Sequence, residues 1–444
     1  MAALLLAVSP SMHLEQAAAG GTQTAPTDPI PQSATYGGFD PVAPNLGVCS
    51  AADPVECSDG DFYQGFSLIS IPGRGVPLNL TLTYNSALAS QQNQLGYGWD
   101  FSYGMTLSQS GSTVTVTSAN GATVTFTQSG STFTPPTWVQ ATLVQNAGGT
   151  WTYSDRNDQI LYSFAANGEL TSETDPDGYV TNVAYSGGEL ASVTDPSGRA
   201  LTFTHNSSGQ LTKVTDPGGR TVTMSYNSAS GNLSRLTDKG GGTTVFGYDT
   251  HHHLETMTDP RGGVTTNTYN SSGQVATQTD PLGRATTFSY SGGVTTVTDP
   301  LGNVTKITYQ YGLPTQVSEA VGTSSASTWS YIYDPNSLGL TSVTDPLGNV
   351  TTYTYDANGN RLGETDPMSR QTSYTYNSMN EMTSATNGMG VTTSYTYDSD
   401  GNMLSTTIPL SQGNGSATTT YTYDPSHPGD VLTVTDPNGN VSHY

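Results

Sequence analysis

The feature that most restricts this fold is a unit of about 21 residues. It is written out as DPLGNVTTYTYDANGNRLGETDP from Asp345 to Pro367 and returns with small changes from residue 163 to the end. In Asp345-Pro-Leu-Gly348 the aspartate accepts backbone hydrogen bonds, Pro346 presets φ and Gly348 suits the fourth position, which predicts a type I turn. The run Val350 to Tyr355 is rich in β-branched and aromatic residues and predicts a strand. Period-2 alternation puts Tyr353 and Tyr355 on one face and Val350, Thr352 and Thr354 on the other. Asn358-Gly359 then predicts a tight hairpin with positive φ at both residues. Arg361 to Thr365 returns to the next Asp-Pro. One unit is thus a hairpin plus the turn into its neighbour.

Both markers recur along the array. Asp-Pro stands at Asp175, Asp195, Asp216, Asp259, Asp280, Asp299, Asp345, Asp366 and Asp436, and the aromatic marker runs from Tyr185 through Tyr226, Tyr248 and Tyr269 to Tyr423. Hairpins repeated edge to edge predict an all-β chain: a long antiparallel ribbon spiralling into a hollow, solenoid-like shell. Composition agrees, since only 34% of the 444 residues are hydrophobic even with 26 Tyr counted. That is too polar for one solid core and too rich in strand formers for disorder.

Charge narrows the partners. With 12 Lys and Arg against 35 Asp and Glu, the net charge is -23, which argues against nucleic acid and anionic lipid. No stretch approaches the length of a transmembrane helix. Residues 1–19 read as a signal peptide, an apolar run followed by Ala17-Ala18-Ala19, although no Lys or Arg precedes it. A disordered tail is the alternative reading. Residues 20–48, rich in Pro, Ala and Thr, read as a linker. Cys49 and Cys57, the only cysteines, are compatible with a local disulfide in an exported protein or with two free thiols.

From Gly60 to Ser86 the run GDFYQGFSLISIPGRGVPLNLTLTYNS predicts two strands around Pro72-Gly73-Arg74-Gly75, and an aromatic segment follows, LGYGWDFSY from Leu95 to Tyr103. Residues 106–162 predict further hairpins, one of them around Ala119-Asn120-Gly121. The Tyr-Asp hairpins with Asp-Pro-x-Gly connectors resemble the YD repeats of Rhs proteins. The 49–105 segment resembles the module that opens the shell in bacterial members. This resemblance implies a cocoon enclosing a C-terminal toxin domain that is released by self-cleavage. The chain stops inside a repeat strand at Tyr444, so the expectation is a truncated shell without core segment or toxin, prone to aggregate or fray near residues 424–444. Its partners would be its own toxin or the rest of the shell, and its location secreted or cell surface. A glycan-binding adhesin using exposed tyrosines is the alternative.

No residue is assigned a catalytic, cofactor-binding or metal role, and no enzyme activity is expected. The pairs Asp195/Asp216 and Asp280/Asp299 are spaced like self-cleaving Asp-Pro-x-Gly motifs, but every repeat supplies the motif, so turn formation accounts for it. An aspartyl protease also needs two carboxylates sharing a proton, which spacing does not show. His251-His252-His253 occupies a hairpin tip, where consecutive residues are expected to diverge. His205 occupies an aromatic slot and is expected to pack. Acidic turns binding calcium are a further alternative, disfavoured by the proline after most of the acids.

Overall fold

The computed structural model describes residues 48–49, 55–155, 159–410 and 415–444. The signal and linker readings therefore lie, apart from Val48, outside the described residues. The two turns of the Asp345–Pro367 unit share one geometry. Gly348 N donates to Asp345 O at 3.0 Å and Asp345 N to Asn349 O at 2.9 Å. At the hairpin tip Gly359 N donates to Asp356 O at 3.1 Å and Asp356 N to Asn360 O at 2.9 Å. Each is a five-residue turn with a single positive φ in fourth place, 82° at Gly348 and 80° at Gly359. Asn358 is not in the left-handed region, so the expected two-residue hairpin is corrected to a type I turn closed by one left-handed residue. The first side chain makes this possible by accepting the amides of the third and fifth residues, as Asp345 Oδ1 does from Leu347 and Asn349 at 2.8 Å each.

The strands pair as the alternation predicts. Tyr353 is buried while Thr352 and Thr354 are exposed. The return strand breaks the period of two. In most hairpins the register slips where the tyrosine meets it, as between Thr354 and Tyr355, which face Gly363 and Arg361. This β-bulge turns two residues three apart to the same face. Leu211 and Val214, and likewise Leu190 and Val193, are consequently all buried.

Twenty-nine such strands, from Ala141–Gln145 to Val441–His443, form one antiparallel sheet in which each strand pairs only with its chain neighbours. The array is therefore an open meander and not a solenoid of stacked coils, because turns of five residues leave no length for a crossover. The sheet begins at Ala141, before residue 163, where the repeats start in the sequence.

The segment ahead of it forms a separate body. Tyr63–Ile71, Leu78–Asn85 and Trp99–Phe101 make a three-stranded sheet, and Thr106–Ser110 to Thr132–Thr134 a four-stranded one. The hairpin around Asn120-Gly121 pairs Val114 with Phe126 and Val116 with Val124, as the alternation predicts. Cys57 is disulfide-bonded, and the only other cysteine in the chain is Cys49. This body packs against the inner, apolar face of the early repeats. The end of the ribbon curls back to its start and to this body: Gly429 lies against the Asp177 carboxylate, and Asp430 Oδ2 meets Arg74 Nε of the body at 2.7 Å.

Candidate functional site: the inner face of the wall

The inner face is built from the tyrosine side of each outgoing strand and the two bulge-turned residues of each return strand. The last tyrosine of most outgoing strands is a strut. The hydroxyl of Tyr248 donates to Leu233 O at 2.8 Å, Tyr269 to Leu254 O, Tyr355 to Leu340 O and Tyr397 to Met382 O at 2.9 Å each, fifteen residues back, and Tyr423 reaches Met403 O, twenty back. Each strut ties a hairpin to the one before it. The burial that this packing requires pushes the phenols up, Tyr397 to about 12.

The N-terminal body covers only the first part of this face. Phe66 and Trp99 pack on Phe246, with centroids 5.6 and 5.0 Å apart, and Trp99 Nε1 donates to Tyr248 Oη at 2.8 Å. Tyr84 Oη accepts from Leu254 N and donates to His252 O, both at 3.0 Å. Leu211 N donates to Gln94 O at 2.9 Å and Val275 N to Gly60 O at 2.9 Å, so backbone pairing extends across the joint. Under this cover Leu170, Leu211, Leu233, Leu254 and Val275 have no exposed surface. Past the cover the face opens: beyond Tyr353 no hydrophobic side chain among the described residues is fully buried. Tyr374 and Tyr395 stand half-buried there, and the Arg361 guanidinium lies over the rings of Tyr353 and Tyr374, 5.8 and 5.1 Å from their centroids.

The residues singled out by sequence fall into place as follows. Asp195 Oδ2 accepts from Arg199 Nε and Asp216 Oδ2 from Arg220 Nε, both at 2.7 Å, while Oδ1 of each accepts two backbone amides. Burial pushes the Asp216 carboxyl up, but the bonds from Arg220 outweigh it and hold the group below the usual carboxylate range. At Asp280 the bond from Arg284 and at Asp299 the bond from Asn303 are the largest influences, and both carboxyls are held low. A shared-proton pair needs one carboxyl raised, whereas Asp216, Asp280 and Asp299 are held low by the bonds that close their turns. His205 is buried between Gln94 Oε1, 2.8 Å from its Nε2, and Glu189 Oε2, 3.5 Å from its Nδ1. Burial lowers its pKa. The three consecutive histidines divide. His252 stacks on Tyr97, 3.7 Å between centroids, whereas His251 and His253 turn to Asp249. The divergence expected of that turn thus holds for His252 alone.

Sequence reasoning overlooked the fifth turn residue, the strut carbonyl and the bulge. The bulge does have a signal, the recurring Leu-x-x-Val of Leu190, Leu211 and Leu340, since an apolar spacing of three inside a strand requires a slip.

The RHS Repeat family matches at residues 166–200, 186–221, 205–243, 226–264, 269–293, 333–367 and 355–388. A domain of unknown function, DUF6531, matches residues 52–126. Most of the described wall and the body that covers it are thereby accounted for, and the chain is an Rhs/YD-repeat protein. No curated protein matches it. Among solved structures it is similar to TcdB2-TccC3-TEV (14% identity, 83% of this chain and 23% of that one, TM-score 0.45) and to TcdB2-TccC3 without its hypervariable C-terminal region (14%, 82% and 23%, TM-score 0.46). The Photorhabdus luminescens Tc holotoxin pore aligns at 14% identity, 83% and 23% coverage and a TM-score of 0.39. The chain therefore spans about a quarter of the length of these structures.

Proposed function

We propose that this chain is a wall segment of an exported Rhs-type toxin shell, acting by containment of a toxic polypeptide used against neighbouring cells. The observation that carries the reading is the division of the inner face. The N-terminal body closes the early repeats, while the later ones present Tyr374, Tyr395 and the Arg361 stack to an interior that nothing in the described chain fills. An outward face of threonine and serine and an inward face of tyrosine suit a wall with contents. The glycan-binding alternative has less support, because its stacking residues would lie on the inner side.

The test joins the chain to the coding sequence that continues its reading frame and treats the purified product with protease, with and without denaturant. The expected result is a downstream fragment protected only while the repeats are folded, together with killing of competitor cells by the exporting strain. A downstream segment digested as fast with the repeats as without them would overturn the proposal, as would a reading frame with no continuation.

A further inference from the structure

The tip Asp249-Thr-His-His-His253 has the same frame as the other turns. Asp249 N donates to His253 O at 3.0 Å, and Asp249 Oδ1 accepts from His251 N and His253 N at 2.8 Å each. In that frame the third and fifth side chains stand on the same side as the first. The fourth residue, His252, takes the left-handed conformation usually given to glycine, with φ 68°. Its ring is held away from the tip by the stack on Tyr97 and by Asn232 Oδ1, 2.8 Å from its Nδ1. What remains at the tip is a carboxylate and two imidazoles, whose ligand atoms all lie within 4.8 Å of one another.

We propose that Asp249, His251 and His253 form a binding site for a divalent transition metal of the zinc class. Asp249 Oδ2 lies 2.9 Å from His253 Nδ1 and 3.8 Å from His251 Nδ1. Two ligands held about 2.0–2.1 Å from one zinc ion in tetrahedral geometry stand about 3.3 Å apart, so the first pair, now hydrogen-bonded, needs to open by only about 0.4 Å as the metal displaces the shared proton. His251, with its side chain 78% exposed, needs only a side-chain rotation to join them. The other half of the site is rigid, because the His253 ring stacks on Tyr269 at 4.7 Å and the Asp249 carboxylate is fixed by the turn amides. Two imidazoles and one carboxylate favour zinc, copper or nickel over calcium or magnesium, which prefer all-oxygen sets. Three protein ligands leave a coordination position open to solvent. Since the Tyr84 hydroxyl and the Tyr97 ring both meet this tip, a bound ion would also stiffen the joint between the N-terminal body and the wall.

The test is calorimetric titration of the untagged chain with zinc chloride, with calcium chloride in parallel. One zinc ion per chain and no calcium binding at the same concentrations are expected. His251→Ala should weaken zinc binding at least about tenfold while leaving the circular dichroism spectrum unchanged, because that side chain is exposed. His427→Ala, which removes the comparable His427–Asp424 pair at 2.9 Å, should leave binding unaltered. Absence of zinc binding, equal binding of calcium, or unchanged affinity in His251→Ala would each overturn the proposal.

Discussion

In many of the five-residue turns the first and fifth side chains are chemically matched, whereas Gly242, Gly263 and Val391 take the fifth place with the backbone bonds alone. Where the first is Asp, the fifth is usually a donor: Arg220, Arg284 and Arg370 through Nε, Asn349 and Asn440 through Nδ2. In three turns led by Asn its amide donates to an acceptor in the fifth place, Asn206 to Gln210 and Asn270 to Gln274 at 3.0 Å, and Asn377 to Glu381 at 2.5 Å. Both classes close the same turn, so the sequence showed the turn and its Asp or Asn while the pairing rule became legible only with the side chains in place. Asn377→Asp would keep the backbone caps but set two carboxylates against each other. The expected loss is about 1–2 kcal/mol of local stability, measured as faster amide exchange at Met379 and Glu381. Adding Glu381→Arg recreates the Asp216–Arg220 pairing and should restore protection. If the single variant exchanged no faster, the matching would be incidental.

The strand and the hairpin were legible from alternation, yet the face each return strand presents was not, since a bulge in most repeats inverts the parity halfway along. The covering body was harder still. Its strands around Pro72–Gly75 are plain in the sequence, but nothing local says that Gln94, Tyr84 and Trp99 meet repeats more than a hundred residues away. The two elements also answer pH in opposite senses. In the repeats, the Asn349 bond at Asp345 and the backbone bond from Arg370 at Asp366 lead the influences that hold those carboxyls low. Their contribution is present above the unfolded value near 4 and is lost as pH falls through the folded one. In the covering body burial pushes Glu56 up to about 8 and Asp100 to about 7, and raises Asp59 and Asp61 as well. Those groups favour folding in the neutral form, a contribution complete below about pH 4 and lost as pH rises through 7 to 8. Amide protection, relative to the intrinsic exchange rate at each pH, should therefore fall in Tyr63–Ile71 between about pH 5 and 8, and in Val350–Tyr355 below about pH 4. Parallel behaviour of the two strands would contradict this assignment.

Across the whole molecule the seam where the last repeats meet the first ones and the covering body was illegible in the sequence, because it joins Arg74 to Asp430, 356 positions away. Gly429 lies against the Asp177 carboxylate, so closely that a Cβ on it would sit 2.1 Å from Oδ2. Asp175, Asp177 and Asp430 all act on Tyr179, and Arg74 acts against them there and on Asp424 as well. The Arg74–Asp430 pair itself is exposed, with side chains 46% and 39% accessible, and such a pair is worth no more than about 1 kcal/mol. Its larger effect is to place one cation among four carboxylates that would otherwise repel across the gap in a chain of net charge -23. Arg74→Ala should therefore leave the thermal midpoint nearly unchanged while opening the curl at low ionic strength, seen as a larger radius of gyration in small-angle scattering. Salt near 1 M, where the screening length falls to about 3 Å, should close it again. A radius unaffected by the substitution at low salt would show that backbone curvature alone sets the shape of the wall, and an increase that persisted in high salt would assign Arg74 a packing role in place of an electrostatic one.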